Sequence, residues 1–238
     1  MVSVTYLGHS SFMVDLGKAK LLFDPFISAN EKAAHIDIAA LKPDYILLSH
    51  GHADHVLDAE AIAKQSGATI ISNYEIVSWF ADKKGVDKGI GLNHGGGVTL
   101  DFGRVVYVPA LHSSSLPDGT YGGQPGGFVV THDNGAFYYS GDTALSYDMT
   151  LIGERYAPDF AMLCLGDTFT MDAVDAVKAA EFVGVKDVIG MHYDTFPPIT
   201  LDHDAAKRLF KDAGKTLTLL QIGESLSMTP KNKQAKAG

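Results

Sequence analysis

Residues 44–55, Asp-Tyr-Ile-Leu-Leu-Ser-His-Gly-His-Ala-Asp-His, limit what this chain can fold into more than any other stretch. The segment opens as a short apolar run, Tyr45-Ile46-Leu47-Leu48, bounded by turn residues, which is the pattern of a buried strand. It then changes abruptly into histidines and an aspartate. In extended backbone, residues two apart face the same side, so His50 and His52 can share one ion. Small Gly51 and Ala53 allow a tight curl that turns Asp54 and His55 toward a second ion nearby. Asp58 reads as the N-cap of a helix over 59–65 that Gly67 stops, so the ligand-type residues fall in a strand-to-helix loop. Open sheets place their binding sites there. Imidazole nitrogen and carboxylate oxygen, without thiolate, suit zinc, manganese or iron in a catalytic setting. The alternative is a surface loop that happens to be rich in histidine, and it fits poorly behind a buried strand.

The remaining pattern supplies a frame for that loop. Residues 2–7, 11–16 and 20–23 read as three short strands separated by Gly8-His9 and Gly17-Lys18 turns. Residues 68–72 read as a strand and 75–83 as a helix carrying Trp79. From Gly89 the period changes to two, with strands expected over 98–100 and 105–108. Strands over 128–131 and 136–140 flank Asp133-Asn134-Gly135, the strongest short hairpin signal in the chain. Beyond it helix and strand alternate: 151–156, 160–165, 174–183, 187–190, 205–213 and 216–220. Two sheets packed face to face with helices outside accommodate this order in one domain, residues 1–230, and the polar tail 231–238 is expected to fray.

Composition narrows the function classes. With 238 residues and 46% hydrophobic content the chain can bury a full core. A net charge of −9 and the lack of a Lys/Arg stripe argue against nucleic acid and anionic membrane as partners. No apolar run reaches the ~20 residues of a membrane span, and the first residues lack the pattern of a signal peptide. The single cysteine, Cys164, sits in an apolar run and reads as a core residue, and a reducing cytoplasm is the expected location.

A two-ion site needs more ligands, and they stand at other strand ends. His112 follows the strand over 105–108, Asp142 follows 136–140, and His192 follows 188–190. Singly, each is an ordinary polar residue or turn. Together they recur at the exit of a buried strand, which is how one site is assembled at a sheet edge.

His50-Gly51-His52-Ala53-Asp54-His55, followed by His112, Asp142 and His192, resembles the metallo-β-lactamase superfamily. Tyr6-Leu7-Gly8-His9-Ser10-Ser11 and Met191-His192-Tyr193-Asp194-Thr195-Phe196-Pro197 resemble its small metal-dependent hydrolases, related to the ascorbate-phosphate lactonases and to the phospholipase D that releases N-acylethanolamines. The resemblance implies an α/β fold, a four-layer αββα sandwich. It implies that His50, His52 and His112 hold one metal, that Asp54, His55 and His192 hold the other, and that Asp142 bridges them. Asp24 matches an early acidic position that orients a ligand; an Asp-Pro turn is the plain alternative. His9 matches a histidine of the closer relatives, as a further metal-site or substrate-contacting group, or else it simply ends the first strand. Histidine at position 52 disfavours the redox branch, which has an acidic residue there.

Two divalent ions, zinc foremost with manganese or iron as alternatives, would lie ~3.5–4 Å apart and activate a water. Asp54 can hold that nucleophile and relay its proton. The leading expectation is a metal-dependent hydrolase acting on an ester, lactone or other bond of a small molecule. The alternatives are a phosphodiesterase on nucleotides or phospholipids and a non-catalytic metal-dependent ligand sensor. Segment 117–127, with Tyr121, is either a substrate-facing loop or a surface connection. The resemblance also suggests a homo-oligomer.

Overall fold

The chain is described here by a computed structural model over residues 2–133 and 135–228. The expected tail at 231–238 and Asn134 of the hairpin turn lie outside the described residues.

The first sheet begins as an antiparallel meander of β1 (Val2–Gly8), β2 (Ser11–Asp15) and β3 (Lys20–Phe23). Parallel to β3 follow β4 (Tyr45–Leu47), β5 (Thr69–Asn73) and β6 (Gly89–Leu92). The second sheet holds the antiparallel run β7 (Gly97–Leu100), β8 (Gly103–Pro109), β9 (Gly126–His132) and β10 (Gly135–Tyr139). It continues in parallel through β11 (Phe160–Cys164), β12 (Asp187–Met191) and β13 (Thr216–Thr218). The last strand, β14 (Ser225–Met228), returns to the first sheet and pairs antiparallel with β1. Each sheet therefore has seven strands, in the orders β14-β1-β2-β3-β4-β5-β6 and β13-β12-β11-β10-β9-β8-β7.

Helices cover the outer faces. The parallel connections of the first sheet carry α1 (Ala53–Val56), α2 (Ala59–Ser66) and α3 (Tyr74–Lys84); those of the second carry α4 (Asp148–Tyr156), α5 (Ala173–Val183) and α6 (His203–Asp212). The period-two rule accounts for the apolar run of β4, which is buried on both faces. Leu47 joins the core between the sheets, while Ile46 and Leu48 join the core shared with Ile62 of α2 and Ile76 and Phe80 of α3. Between the sheets Phe23 meets Phe128, Phe137 and Tyr139 at ring-centroid distances of 6.2, 6.0 and 4.7 Å. On α5, Ala176, Ala179 and Ala180 share one face, and their small side chains let the helix backbone lie close on the sheet. The fold is the αββα sandwich expected from the sequence. Among the described residues no helix is long and apolar enough to cross a membrane.

Several local expectations need correction. Asp58 precedes α2 but its carboxylate does not cap it. It accepts instead from the backbone N–H of Ile27 and Ser28, at 2.6 and 2.9 Å, and so pins the loop after β3. Asp54 and His55 are not in a loop but on the single turn of α1, directly after the loop that holds His50 and His52. The edge strands β6 and β14 were not legible in the sequence. Gly67 does end α2, in the left-handed conformation.

Candidate metal centre

The exits of six strands converge at one end of the sandwich. His9 follows β1, Asp24 follows β3, His50 and His52 follow β4, Asp142 follows β10 and His192 follows β12; the α1 turn adds Asp54 and His55, and the loop after β8 adds His112. All nine residues singled out in the sequence come together here. Imidazole nitrogens of His50, His52 and His112 lie within 4.8 Å of one another, and so do ligand-type atoms of His9, Asp54, His55 and His192. Asp142 stands between the two groups: its Oδ2 is 2.9 Å from His192 Nε2, 3.2 Å from His55 Nε2 and 3.8 Å from His112 Nε2.

Local chemistry explains how these side chains are held. Asp24 is fully buried, and its carboxylate accepts from Ser49 N, Ser49 Oγ, Tyr139 OH and His55 Nδ1 at 2.7, 2.5, 2.7 and 2.8 Å. This fixes the His55 ring with Nε2 toward Asp142. His9 Nε2 donates to Asp54 Oδ2 at 3.1 Å, and its Nδ1 lies 2.9 Å from Thr195 Oγ1. The two sheets are tied at this point by the His192 N–H donating to the His9 carbonyl at 2.8 Å. His9, Asp24 and His192 all adopt positive φ, at 54°, 39° and 60°, a strained region for residues with a Cβ that clusters at functional sites.

Two glycines permit the close approach. A Cβ on Gly51 would lie 3.2 Å from the backbone of Ser115, a tight contact that the ligand loop avoids by having none. A Cβ on Gly166 would lie 1.9 Å from the carbonyl oxygen of His192, which no side chain tolerates.

The electrostatics sort the imidazoles into two kinds. Burial holds His50, His52 and His112 below the ordinary histidine range, and burial likewise lowers His9 to about 4 despite its bond to Asp54. These four are neutral near pH 7, so each ring keeps one nitrogen lone pair. For neutral His9, donation from Nε2 to Asp54 makes Nδ1 the acceptor of the Thr195 hydroxyl. His55 behaves oppositely: burial lowers it, but Asp142 and Asp24 outweigh burial and raise it well above the usual range. Burial pushes the Asp54 and Asp142 carboxyls up, yet the surrounding imidazoles win and hold both far below the usual carboxylate range.

This donor set fits divalent cations. Nitrogens of His50 and His52 face each other at 2.9 Å, a separation that two lone pairs sustain only by sharing a proton or a cation. His55 Nε2, His192 Nδ1 and Asp142 Oδ1 are buried without hydrogen-bond partners, whereas buried polar atoms are normally satisfied. Histidine nitrogens with carboxylate oxygens and no sulfur form a catalytic rather than a structural set.

A cavity of about 290 Å³ opens beside the cluster, lined by His52, Asp54, His112, Asp142 and His192 together with Ser113 and Phe169. Segment 117–127 contributes nothing to this lining. It is a buttress, in which the Asn73 amide donates to the Gly122 carbonyl at 2.7 Å and Trp79 Nε1 donates to Asp118 Oδ2 at 2.8 Å. Sequence reasoning missed Phe169, which is 53% exposed and follows Asp167 and Thr168 at φ 63° and 53°. Its one sequence signal is position: like the histidines, it stands just past a buried strand.

The comparisons with known proteins agree with this geometry. Residues 19–193 match the family model described as beta-lactamase superfamily domain. A UPF0173 metal-dependent hydrolase of Flavobacterium johnsoniae is 50% identical over 95% of this chain and 100% of its own length. A UPF0173 metal-dependent hydrolase of Thermus thermophilus is 42% identical over 96% of this chain and 100% of its own length. Among solved structures, a metallo hydrolase of the archaeon Ignicoccus hospitalis is 34% identical, with a TM-score of 0.85 over 97% of this chain and 99% of its own.

Proposed function

The chain belongs to the beta-lactamase superfamily and is a metal-dependent hydrolase; from that premise we propose that it cleaves an ester or lactone of a small molecule with a pair of divalent cations, zinc foremost. His50, His52 and His112 would hold one cation, Asp54, His55 and His192 the other, and Asp142 both. The observation that carries this reading is the contact of a single oxygen, Asp142 Oδ2, with His55, His192 and His112, members of both groups. When bound, the cations would supply Lewis-acid polarisation of the substrate carbonyl and a water made acidic near neutral pH.

The chain's own residues do the rest. Asp54, ionised at neutral pH, would hold the attacking water and relay its proton. His9 acts as a positioning residue, since its Nε2–H holds Asp54 Oδ2 and leaves the other carboxylate oxygen free to work. Asp24 is a second positioning residue, which keeps His55 Nε2 aimed at Asp142. Ser113 Oγ, 3.4 Å from His52 Nε2, offers a polar contact at the cavity wall, and Phe169 offers an apolar one. A cavity of about 290 Å³ favours a small substrate over a polymer, at the lower end of the ~300–1,000 Å³ of small-molecule sites. The relatives' description as hydrolases favours catalysis over ligand sensing.

The test is hydrolysis of nitrophenyl acetate, a γ-lactone and bis-nitrophenyl phosphate, before and after chelation and after zinc is restored. Zinc-dependent turnover of the ester or lactone is expected. Turnover of the phosphodiester alone would move the substrate class to phosphodiesters, and turnover that survives complete metal removal would end the metal mechanism.

A further inference from the structure

Behind His9, on the side away from Asp54, lies a second cavity of about 360 Å³ that the hydrolytic site does not use. It shares none of the residues that line the first cavity. Its polar lining includes two lysines and one carboxylate. Lys32 and Lys207 bring two ammonium groups, and neither has a carboxylate within salt-bridge distance among the described residues. Lys32 spends one of its three N–H bonds on the Asp194 carbonyl oxygen and retains two. Asp194, the carboxylate on this wall, is engaged already, accepting from Leu201 N at 2.9 Å and from His203 Nε2 at 2.7 Å.

Asn30 sharpens the bias. It is 3% exposed, and its Oδ1 accepts from the Lys32 N–H at 3.1 Å to cap a 3-10 turn, which fixes the orientation of the amide. The other end of that amide, Nδ2, is buried without an acceptor. A buried donor left unpaired is costly and calls for a partner. Tyr6, Tyr193, Leu219 and Ile222 add apolar surface to the lining. The partition between the two cavities is strained, since His9, His192 and Asp194 in it all adopt positive φ. Thr195 lines the second cavity and meets His9 Nδ1, so an occupant stands two hydrogen bonds from Asp54.

We propose that this cavity is a binding site for a small organic anion, its carboxylate or phosphate head held by Asn30, Lys32 and Lys207 and its body against Tyr6 and Tyr193. The volume admits a compact metabolite and excludes a polymer. An anionic head supplies the acceptor that the Asn30 amide lacks and the charge that the two ammonium groups complement. The inference does not depend on the hydrolase reading, because none of these residues belongs to the metal cluster.

Isothermal titration of the full-length protein with butyrate and, separately, with inorganic phosphate tests it, each before and after chelation of metals. One equivalent of at least one probe should bind, with affinity retained after chelation, and the tighter probe identifies the head. Asn30→Asp keeps the capping oxygen but replaces the unpaired donor with an acceptor, so it should fold and weaken binding roughly tenfold or more. Lys207→Ala, on the exposed face of α6, should weaken it in the same direction. Thermal melting confirms that both variants are folded. The proposal is overturned if neither probe binds, if affinity is unchanged in both variants, or if binding vanishes with the metals and so belongs to the other cavity.

Discussion

Replacing Asp24 with asparagine tests how far the centre depends on a residue that touches no substrate. The exchange conserves volume, so the burial of the site survives and the effect is chemical. Asp24 Oδ2 receives three donors, Ser49 Oγ, Tyr139 OH and His55 Nδ1. An amide nitrogen in that place is itself a donor. The two hydroxyls can rotate and accept from it, but the His55 N–H cannot. If the amide flips, the conflict moves to the Ser49 backbone N–H, which now donates to Oδ1 at 2.7 Å. Either way one buried donor is left unpaired, a destabilisation of about 1–3 kcal/mol in the metal-free protein. With a cation bound, His55 could relieve the conflict by moving its one proton to Nε2, but that would remove the lone pair that holds the cation. Loss of such a supporting contact typically weakens metal binding by ~10–100-fold. Competition against a chromophoric chelator measures the affinity, and urea unfolding of chelated protein measures the stability. Unchanged metal affinity in a folded Asp24→Asn protein would refute the orienting role of Asp24.

Three further outcomes follow from the same structure. Phe169→Ala removes a half-exposed side chain, so stability should shift by less than about 0.5 kcal/mol; kcat/KM for nitrophenyl hexanoate should fall several-fold relative to nitrophenyl acetate, and equal loss for both esters would contradict an apolar contact. Gly166→Ala places a Cβ 1.9 Å from the His192 carbonyl oxygen and should destabilise the fold by about 1–3 kcal/mol or more while displacing His192, seen as a lower Tm together with lost metal. The Cys164 thiol is pushed up to about 11 by burial, which disfavours the thiolate, so Cys164 should stay unreactive toward a disulfide reagent at pH 8 in native protein and react once urea unfolds it.

How much of this was legible in the sequence depends on where each signal lay. The histidine-rich stretch could be read because a strand buried on both faces leaves an unbroken apolar run, and Ile46, Leu47 and Leu48 are completely buried. His112, Asp142 and His192 could be read as partners because each follows another such strand. The edge strands were hidden for the opposite reason: β14, Ser-Leu-Ser-Met, has only intermediate and exposed positions, and β6 alternates glycine with single apolar residues. Asp58 misled because its carboxylate has better partners in the Ile27–Ser28 backbone than in α2. Phe169 and the Asn30–Lys32–Lys207 wall were beyond sequence reasoning, since they join residues from unrelated elements and show no spacing of their own. Segment 117–127 read as either a substrate-facing loop or a surface connection, but Asn73, Trp79 and Tyr107 bind its backbone and side chains.

Counting ions by mass spectrometry of protein loaded with zinc and freed of excess probes the central claim most directly, with His50→Ala and His192→Ala beside the wild type. Two zinc ions per wild-type chain are expected, falling to one in each folded variant, with esterase turnover lost in both. A single ion in the wild type, or a count of two that survives both substitutions, would contradict a shared two-cation centre.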